Sequence, residues 1–343
     1  MKLLMVTRKV DPSDELAGFT FGWVSKLASN IDELKVLTWQ KSSSEGLPAN
    51  VKLTSLPAGK LRKIFAFQIY LFKNLKTVDG IFCHMNPEYT ILSAFAAKIY
   101  KKKIVSWYTH SSVSLRMRLM EKLATQVLTA SSKSFRLKST KLKIVGHGID
   151  SEEFKPAENN QFGSPIRILT VGRISPTKDY DSMIKAVDIL NDQSIEVSLE
   201  IAGGPGLESQ QSYFEGLKGM VSAMKIENKV KFLGPVSHSK IPEILKISDI
   251  FINLSGTGSL DKAVLEAMAS GCIVLTSNEA FAEMLPSELM VEKNNPKQLA
   301  EKIRFVIALD NQSREELQKK LRSIVIESHD LNVLAKKIVN NFR

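Results

Sequence analysis

Residues 166–180 read IRILTVGRISPTKDY: an apolar run ends at Gly172-Arg173, passes through Ser175-Pro176 and Lys178, and gives way to a helix-length segment from Tyr180. A buried strand that stops at glycine and hands over to a helix is half of a strand–helix–strand unit. The same alternation runs outward in both directions. Towards the C-terminus, strand candidates fall at 196–202, 229–233, 250–253, 273–276 and 289–291, with helical stretches at 180–191, 207–224, 240–247, 262–270 and 296–308. Towards the N-terminus they fall at 3–7, 34–38, 51–55, 80–83, 103–107, 126–129 and 142–145, with helices at 22–29, 61–76 and 89–100. Two more helical stretches, 314–327 and 331–342, follow at the end. Strands alternating with helices need crossover connections, hence parallel sheets covered on both faces. The expected fold class is α/β, with two doubly wound parallel-sheet (Rossmann-like) domains facing across a cleft. The first spans 1–150, a Pro-, Gly- and Asn-bearing linker spans 151–165, and the second spans 166–328. A terminal helix, 329–343, is expected to cross back to the first domain. Open α/β sheets bind ligands at the carboxyl ends of their strands.

The composition fits such a fold. The chain has 343 residues, 43% hydrophobic and 24% charged, which is too apolar for a disordered chain. No apolar run approaches the roughly 18 residues of a membrane span. The opening MKLLMVTRKVD has too short an apolar stretch for a signal peptide and reads as a first strand. Cys83 and Cys272 lie far apart without metal-ligand spacing, so neither a disulfide framework nor a zinc site is expected, and a reducing cytosol is the default. The charge is uneven. Residues 1–160 carry 25 Lys or Arg against 13 Asp or Glu, whereas residues 161–343 carry 22 against 23. A basic first half suits an anionic partner, whether a membrane leaflet, a nucleic acid or a phosphorylated acceptor; the plain alternative is a solubilising surface.

Two segments carry the chemistry. Arg173 and Lys178 stand five residues apart in a loop at a strand's carboxyl end, so a guanidinium fork and a mobile ammonium can converge on one anion. In residues 249–277, DIFINLSGTGSLDKAVLEAMASGCIVLTS, a strand ends in the small-residue loop 255–259 and a helix starts near Asp261. Backbone N–H groups and the positive end of that helix make an anion site. Glu266, about one turn into the helix, can accept bonds from the vicinal hydroxyls of a ribose; the alternative is an acid stabilised by the helix dipole alone.

Together these segments resemble glycosyltransferase family 4, the retaining nucleotide-sugar enzymes of the GT-B fold. The resemblance covers nearly the whole chain and is strongest in residues 166–285. It rests on VGRISPTKD at 171–179, EIAGGPG at 200–206, VKFLGPV at 230–236, SDIFINLS at 248–255 and VLEAMASGCIV at 264–274. It implies that the second domain binds the nucleotide-sugar and the first takes the acceptor. Arg173 and Lys178 would hold the donor diphosphate, and Glu266 would bind the ribose as the second Glu of the E-x7-E motif. The first Glu of that motif falls on Gly258, and the Gly-Phe-Gly that usually follows is Ser259-Leu260-Asp261. Gly258 stays in the expected donor-binding set. Asp261 is expected either to take part of the missing role toward the sugar or to serve as a helix N-cap. In the first domain, DELAGFTFGWVSKL at 14–27 places Gly18 and Gly22 between the first strand and helix, and Gly18 is the choice for close approach to the donor phosphate. His110, in VSWYTHSS at 105–112, would contact the donor sugar near the reacting carbon. His84 is a weaker candidate for the acceptor, and Gly146-His147-Gly148 reads as a turn without chemistry.

The stretch 60–76, KLRKIFAFQIYLFKNLK, reads first as a crossover helix packed on the first sheet, with a membrane-surface helix as the alternative. The basic runs at 101–103 and 133–143 add charge to that domain. The expected activity is transfer of a sugar from a UDP- or GDP-sugar to a hydroxyl of a glycan or lipid-linked acceptor. His110, Arg173 and Lys178 are the expected catalytic residues. No Asp-x-Asp pair stands at a strand end, so neither a metal nor a cofactor is expected. The expected location is cytoplasmic, with room for peripheral contact with anionic membrane at its inner face. Three rivals remain: a catalytically reduced nucleotide-sugar binder, suggested by Gly258; a sugar-nucleotide epimerase on the same fold; and a nucleic-acid-binding protein. The last lacks aromatic platforms or a recognition motif, so nucleic acid is not expected as a partner.

Overall fold

Runs such as KLLMVT and IRILTV are apolar on both faces, and such strands are stable only inside a sheet covered on both sides. The computed structural model, which describes residues 1–14, 17–158, 162–256 and 258–343, has two sheets of this kind. Chain order in the first part is β1 (Lys2–Thr7), α1 (Phe19–Ala28), β2 (Glu33–Thr38), β3 (Val51–Ser55), α2 (Lys60–Asn74), β4 (Gly80–His84), α3 (Pro87–Ile99), β5 (Lys103–Trp107), α4 (Leu115–Leu123), β6 (Gln126–Thr129) and β7 (Leu142–Ile144). The second part continues with β8 (Ile166–Val171), α5 (Tyr180–Asp192), β9 (Val197–Ala202), α6 (Gln211–Ala223), β10 (Val230–Gly234), α7 (Ile241–Lys246), β11 (Ile250–Asn253), α8 (Lys262–Ala269), β12 (Ile273–Thr276), α9 (Pro296–Ala308), α10 (Asn311–His329) and α11 (Leu331–Asn340).

All strand pairs are parallel. The sheets are ordered β3-β2-β1-β4-β5-β6-β7 and β10-β9-β8-β11-β12. Each reverses direction once, at β1/β4 and at β8/β11, and such switch points open a crevice at the strands' carboxyl ends. The loop leading to Gly18 follows β1, the segment bearing Arg173 and Lys178 follows β8, and Asp261 with the helix bearing Glu266 follows β11. His110 follows β5, one strand beyond the first switch point.

The chain forms two units, Met1–Asp150 with Ser328–Arg343, and Ser151–Glu327. In the first, α11 packs on α1, where Gly22 lies within the helix and a Cβ there would stand 3.5 Å from Leu331 Cδ2. Gly22 therefore belongs to a helix–helix contact and not to the loop between strand and helix. Glu15 and Leu16 of that loop, Asn159–Gln161 of the expected linker and Thr257 lie outside the described residues. Residues 146–149 turn as expected, with positive φ at Gly146 and Gly148, and receive the returning chain: Gly148 N and Ile149 N donate to His329 O, and Leu331 N donates to Ile149 O. Asp330 caps α11 by accepting from Val333 N at 3.0 Å.

One expected strand does not form, and one helix has no counterpart among the expected elements. Residues 289–291 form no strand; Ser287–Leu289 is a 3-10 turn, and Met290 makes one isolated bridge to Thr276. The helix α4 was not foreseen, because Arg116, Arg118, Glu121 and Lys122 interrupt its apolar pattern and its N-cap, Ser114, sits within a serine-rich loop.

His329 is buried where the chain returns, and its Nδ1 accepts from His147 N at 3.2 Å. Burial, with the nearby Lys337 charge, pushes its pKa down to about 4 from 6.5. The folded first unit therefore excludes a proton that the unfolded chain takes up below pH 6.5, and stability falls as pH drops through 6.5 towards 4. Trp23, Trp39 and Trp107 all lie in this unit, so tryptophan fluorescence reports on it alone. We predict that urea unfolding followed this way shows a wild-type loss between pH 7.5 and pH 4.5, relative to His329→Gln, of up to about 3 kcal/mol. Identical pH profiles would refute the assignment.

Candidate functional site

In the second unit the loop after β8 is held from below. The fully buried Tyr180 hydroxyl donates to Gly172 O at 3.0 Å and Arg173 O at 3.3 Å. This fixes the backbone of Arg173, whose side chain is exposed and has no ionic or hydrogen-bonding partner among the described residues. Its stem lies along Gly206, where a Cβ would stand 2.9 Å from Arg173 Cδ, so the bare glycine makes room for it. Lys178, half-buried at the end of a 3-10 turn, points instead at Asp261, with Nζ 2.6 Å from Oδ2.

Asp261 is the N-cap of α8. Oδ1 accepts from Ala263 N at 3.3 Å, and Oδ2 accepts from Asn253 Nδ2 at 3.0 Å as well as from Lys178. Burial works to raise its pKa, but the Lys178 charge and these donors outweigh it and hold the carboxyl below the usual value. With three of its roughly four lone-pair positions taken, the carboxylate has little capacity left for sugar hydroxyls. Gly258 sits at φ +67, the left-handed region that glutamate avoids, so this loop has a path suited to glycine.

Glu266, one turn into α8, is buried at 4% exposure. Its Oε1 lies 2.8 Å from Lys262 Nζ and 2.9 Å from His238 Nε2, and those two nitrogens are 3.1 Å apart. A proton on Nε2 serves Glu266, whereas a bare Nε2 accepts from Lys262. Burial pushes the Glu266 pKa up, but Lys262 and His238 prevail and hold it at about 2. Lys262 was legible as a Lys–Glu pair at i, i+4. His238, from the loop after β10, was not, because its partners lie more than twenty residues ahead. Phe154 meets its ring edge-on at 5.7 Å.

The first unit places its own candidates separately. Gly18 is buried at the start of α1 with ordinary helical φ, −52. His110 is exposed beyond β5; its Nδ1 accepts from Ser112 N at 3.1 Å, and its backbone N donates to Ser134 O. It lines a cavity of about 300 Å³ with Asn86, Tyr108 and Arg116 among others. His84 is buried, with Nδ1 3.0 Å from Thr7 Oγ1 and its ring between Trp23 and Trp107, an aromatic core position. Among the described residues no group of three His, Cys, Asp or Glu could hold a metal ion.

The family model described as Glycosyl transferases group 1 matches residues 150–324, about half of the chain and nearly all of the second unit. The chain belongs to the group 1 glycosyl transferases. Mannosylfructose-phosphate synthase of Agrobacterium fabrum is 29% identical over 147 residues, 40% of this chain and 32% of that protein. The phosphatidylinositol N-acetylglucosaminyltransferase GPI3 subunit of Saccharomyces cerevisiae is 25% identical over 158 residues, 44% of this chain and 33% of that one. The matches thus span about a third of these curated relatives' length. HepE of Anabaena, solved in complex with UDP and glucose, superposes with a TM-score of 0.78 at 18% identity, covering 99% of both chains. The two parallel-sheet α/β domains of this group 1 glycosyl transferase have the GT-B fold.

Replacing Glu266 strands two cationic or donor groups around a buried neutral side chain. We predict that Glu266→Gln costs about 3 kcal/mol at pH 7, and that Lys262→Met combined with Glu266→Leu recovers much of it. Thermal unfolding of the second unit, followed by circular dichroism, checks both; a Gln variant as stable as wild type refutes the coupling.

Proposed function

We propose that the chain is a retaining glycosyltransferase of family 4 that moves a sugar from a UDP- or GDP-sugar to a hydroxyl of a glycan or lipid-linked acceptor without a metal ion. The observation that carries this reading is that the loop after β8 bears an exposed Arg173 with no ionic partner among the described residues, and a Lys178 held on Asp261, the N-cap of α8. Departure of the nucleotide builds negative charge on the diphosphate while the sugar becomes cationic, and fixed cations with a helix N-terminus stabilise that charge. In this scheme Arg173 and Lys178 hold the diphosphate, Lys178 exchanging Asp261 for phosphate oxygen. Glu266, already oriented by Lys262 and His238, accepts from the ribose hydroxyls. The acceptor hydroxyl forms the new glycosidic bond as the bond to the diphosphate breaks, and its proton passes to the leaving phosphate on the same face. No protein nucleophile takes part. The family resemblance alone assigns Gly18 to the donor phosphate and His110 to the sugar near its reacting carbon. Metal independence rests on the two cations supplying the charge a metal would otherwise provide. The UDP present in HepE makes UDP the first nucleotide to try.

A second reading has one observation in its favour. Gly258 stands where the family motif carries its first acid, and Asp261 is largely occupied by Lys178, Asn253 and Ala263. A catalytically reduced nucleotide-sugar binder would retain the phosphate and ribose contacts without transfer.

We predict that one of UDP, GDP or ADP, or a sugar derivative, raises the thermal unfolding temperature of the wild type and fails to do so for Arg173→Ala and Glu266→Ala. With the matching donor, Lys178→Ala should lower kcat by about 10²–10³, and EDTA should leave the rate unchanged. Absence of any nucleotide shift at millimolar concentration overturns the donor site. Binding without transfer or donor hydrolysis selects the second reading, and inhibition by EDTA defeats metal independence.

A further inference from the structure

The outer face of α2 is apolar where a crossover helix is ordinarily polar. Phe67 and Leu71 are buried against the sheet, as expected of such a helix. On another face, Leu61, Phe65, Ile69 and Phe72 follow the i, i+4, i+8, i+11 spacing of a single stripe, and all four are exposed, Leu61 at 83% and Phe65 at 71%. The stripe continues on to α3. The ring of Phe72 lies 6.4 Å from that of Phe95 and 6.0 Å from that of Tyr100; Phe95 is itself 68% exposed, and Ile99 stands one turn further along. Aliphatic and aromatic side chains from two neighbouring helices thus form one apolar surface, a feature that marks an interaction site.

The charge around it selects the partner. Residues 57–78 hold five Lys or Arg and no acid. Exposed Lys60, Arg62 and Lys73 on α2, Lys76 just after it, Lys98 in the last turn of α3 and Lys101 just beyond that helix flank the stripe, none with an acidic partner among the described residues. A second copy of the same face would bring these cations against one another. A stacked nucleic acid would use the phenylalanines but gain nothing from Leu61, Ile69 and Ile99. A bilayer with anionic headgroups suits both parts, with apolar side chains at the acyl boundary and ammonium and guanidinium groups among the phosphates. Among the described residues no helix is long and apolar enough to cross a membrane, so the contact is one of lying on the surface.

We infer that the α2–α3 face docks the first unit on an anionic phospholipid bilayer, with Leu61, Phe65, Phe72 and Phe95 as its inserting residues. The inference is independent of the nucleotide site. The test is flotation of the full chain with vesicles of phosphatidylcholine alone or mixed with phosphatidylglycerol. The wild type should float with the mixed vesicles, lose association as salt rises, and remain behind with phosphatidylcholine alone. Phe65→Ser with Phe95→Ser, and separately Arg62→Glu with Lys73→Glu, should each lower partitioning by about tenfold or more. These positions are exposed, so circular dichroism should be unchanged. In Phe65→Trp, the emission should shift to the blue when mixed vesicles are added. Failure to float with mixed vesicles, or equal flotation of both double variants, overturns the inference. An unmoved Phe65→Trp emission leaves charge adsorption alone and also overturns it, as does a wild-type dimer abolished by the phenylalanine substitutions, which would give the face to a second copy.

Discussion

The second unit depends on one buried carboxylate at the entering edge of its sheet. Asp249, whose side chain is fully buried, accepts from Arg167 N at 2.7 Å, Arg167 Nη2 at 2.8 Å, Arg167 Nε at 3.1 Å and Gly163 N at 3.3 Å. Its own backbone N donates to Arg167 O, and its carbonyl accepts from Ile273 N. One residue therefore ties the incoming segment, β8, β11 and β12 together. The guanidinium keeps 40% of its side-chain surface in water, which reduces the desolvation penalty that burdens a wholly buried ion pair. The register of Ile250 on Ile168 and Phe251 on Leu169 follows, and a slip of one residue would turn each side chain to the opposite face. A few residues downstream, that register sets the Arg173–Lys178 loop beside Asn253 and Asp261.

Charges at the carboxyl ends are then matched in advance. Lys178 is held by Asp261, and Glu266 by Lys262 and His238, whereas Arg173 is left for solvent or ligand. Groups already oriented need little reorganisation when charge arrives, which is the condition under which electrostatic stabilisation is largest. The same pairing limits what Asp261 can offer any further ligand, because its carboxylate is already engaged by Lys178, Asn253 and Ala263.

Most of the architecture was legible because parallel strands buried on both faces declare themselves as short apolar runs. Lys103–Trp107, Gln126–Thr129, Ile166–Val171, Ile250–Asn253 and Ile273–Thr276 were read with their observed limits. What escaped was decided by partners distant in sequence. Residues 289–291 have strand-forming composition but gain only a single bridge beside Thr276. In α4, Met117 and Met120 are buried while Leu115, Leu119 and Leu123 are not, so its apolar spacing misstates its packing. His238 has no local signature and acquires its place from Lys262 and Glu266. Asp261 was readable as a cap, but its ion pair with Lys178 spans 83 positions. The outward face of α2 shows the converse case: its composition was plain, yet only the burial of Phe67 and Leu71 reveals which apolar residues are left over.

The return of residues 328–343 to the first unit also bears on the order of assembly during synthesis. Domains generally fold as units, N-terminal first, as the chain emerges. Here the first unit has all its strands early but lacks α11, which packs on α1 and whose Leu334 approaches Gly148. The second unit lies wholly within 151–327 and has its full set of residues before α11 is made. Vectorial synthesis thus supplies every residue of the later unit before α11, the helix that closes the earlier one.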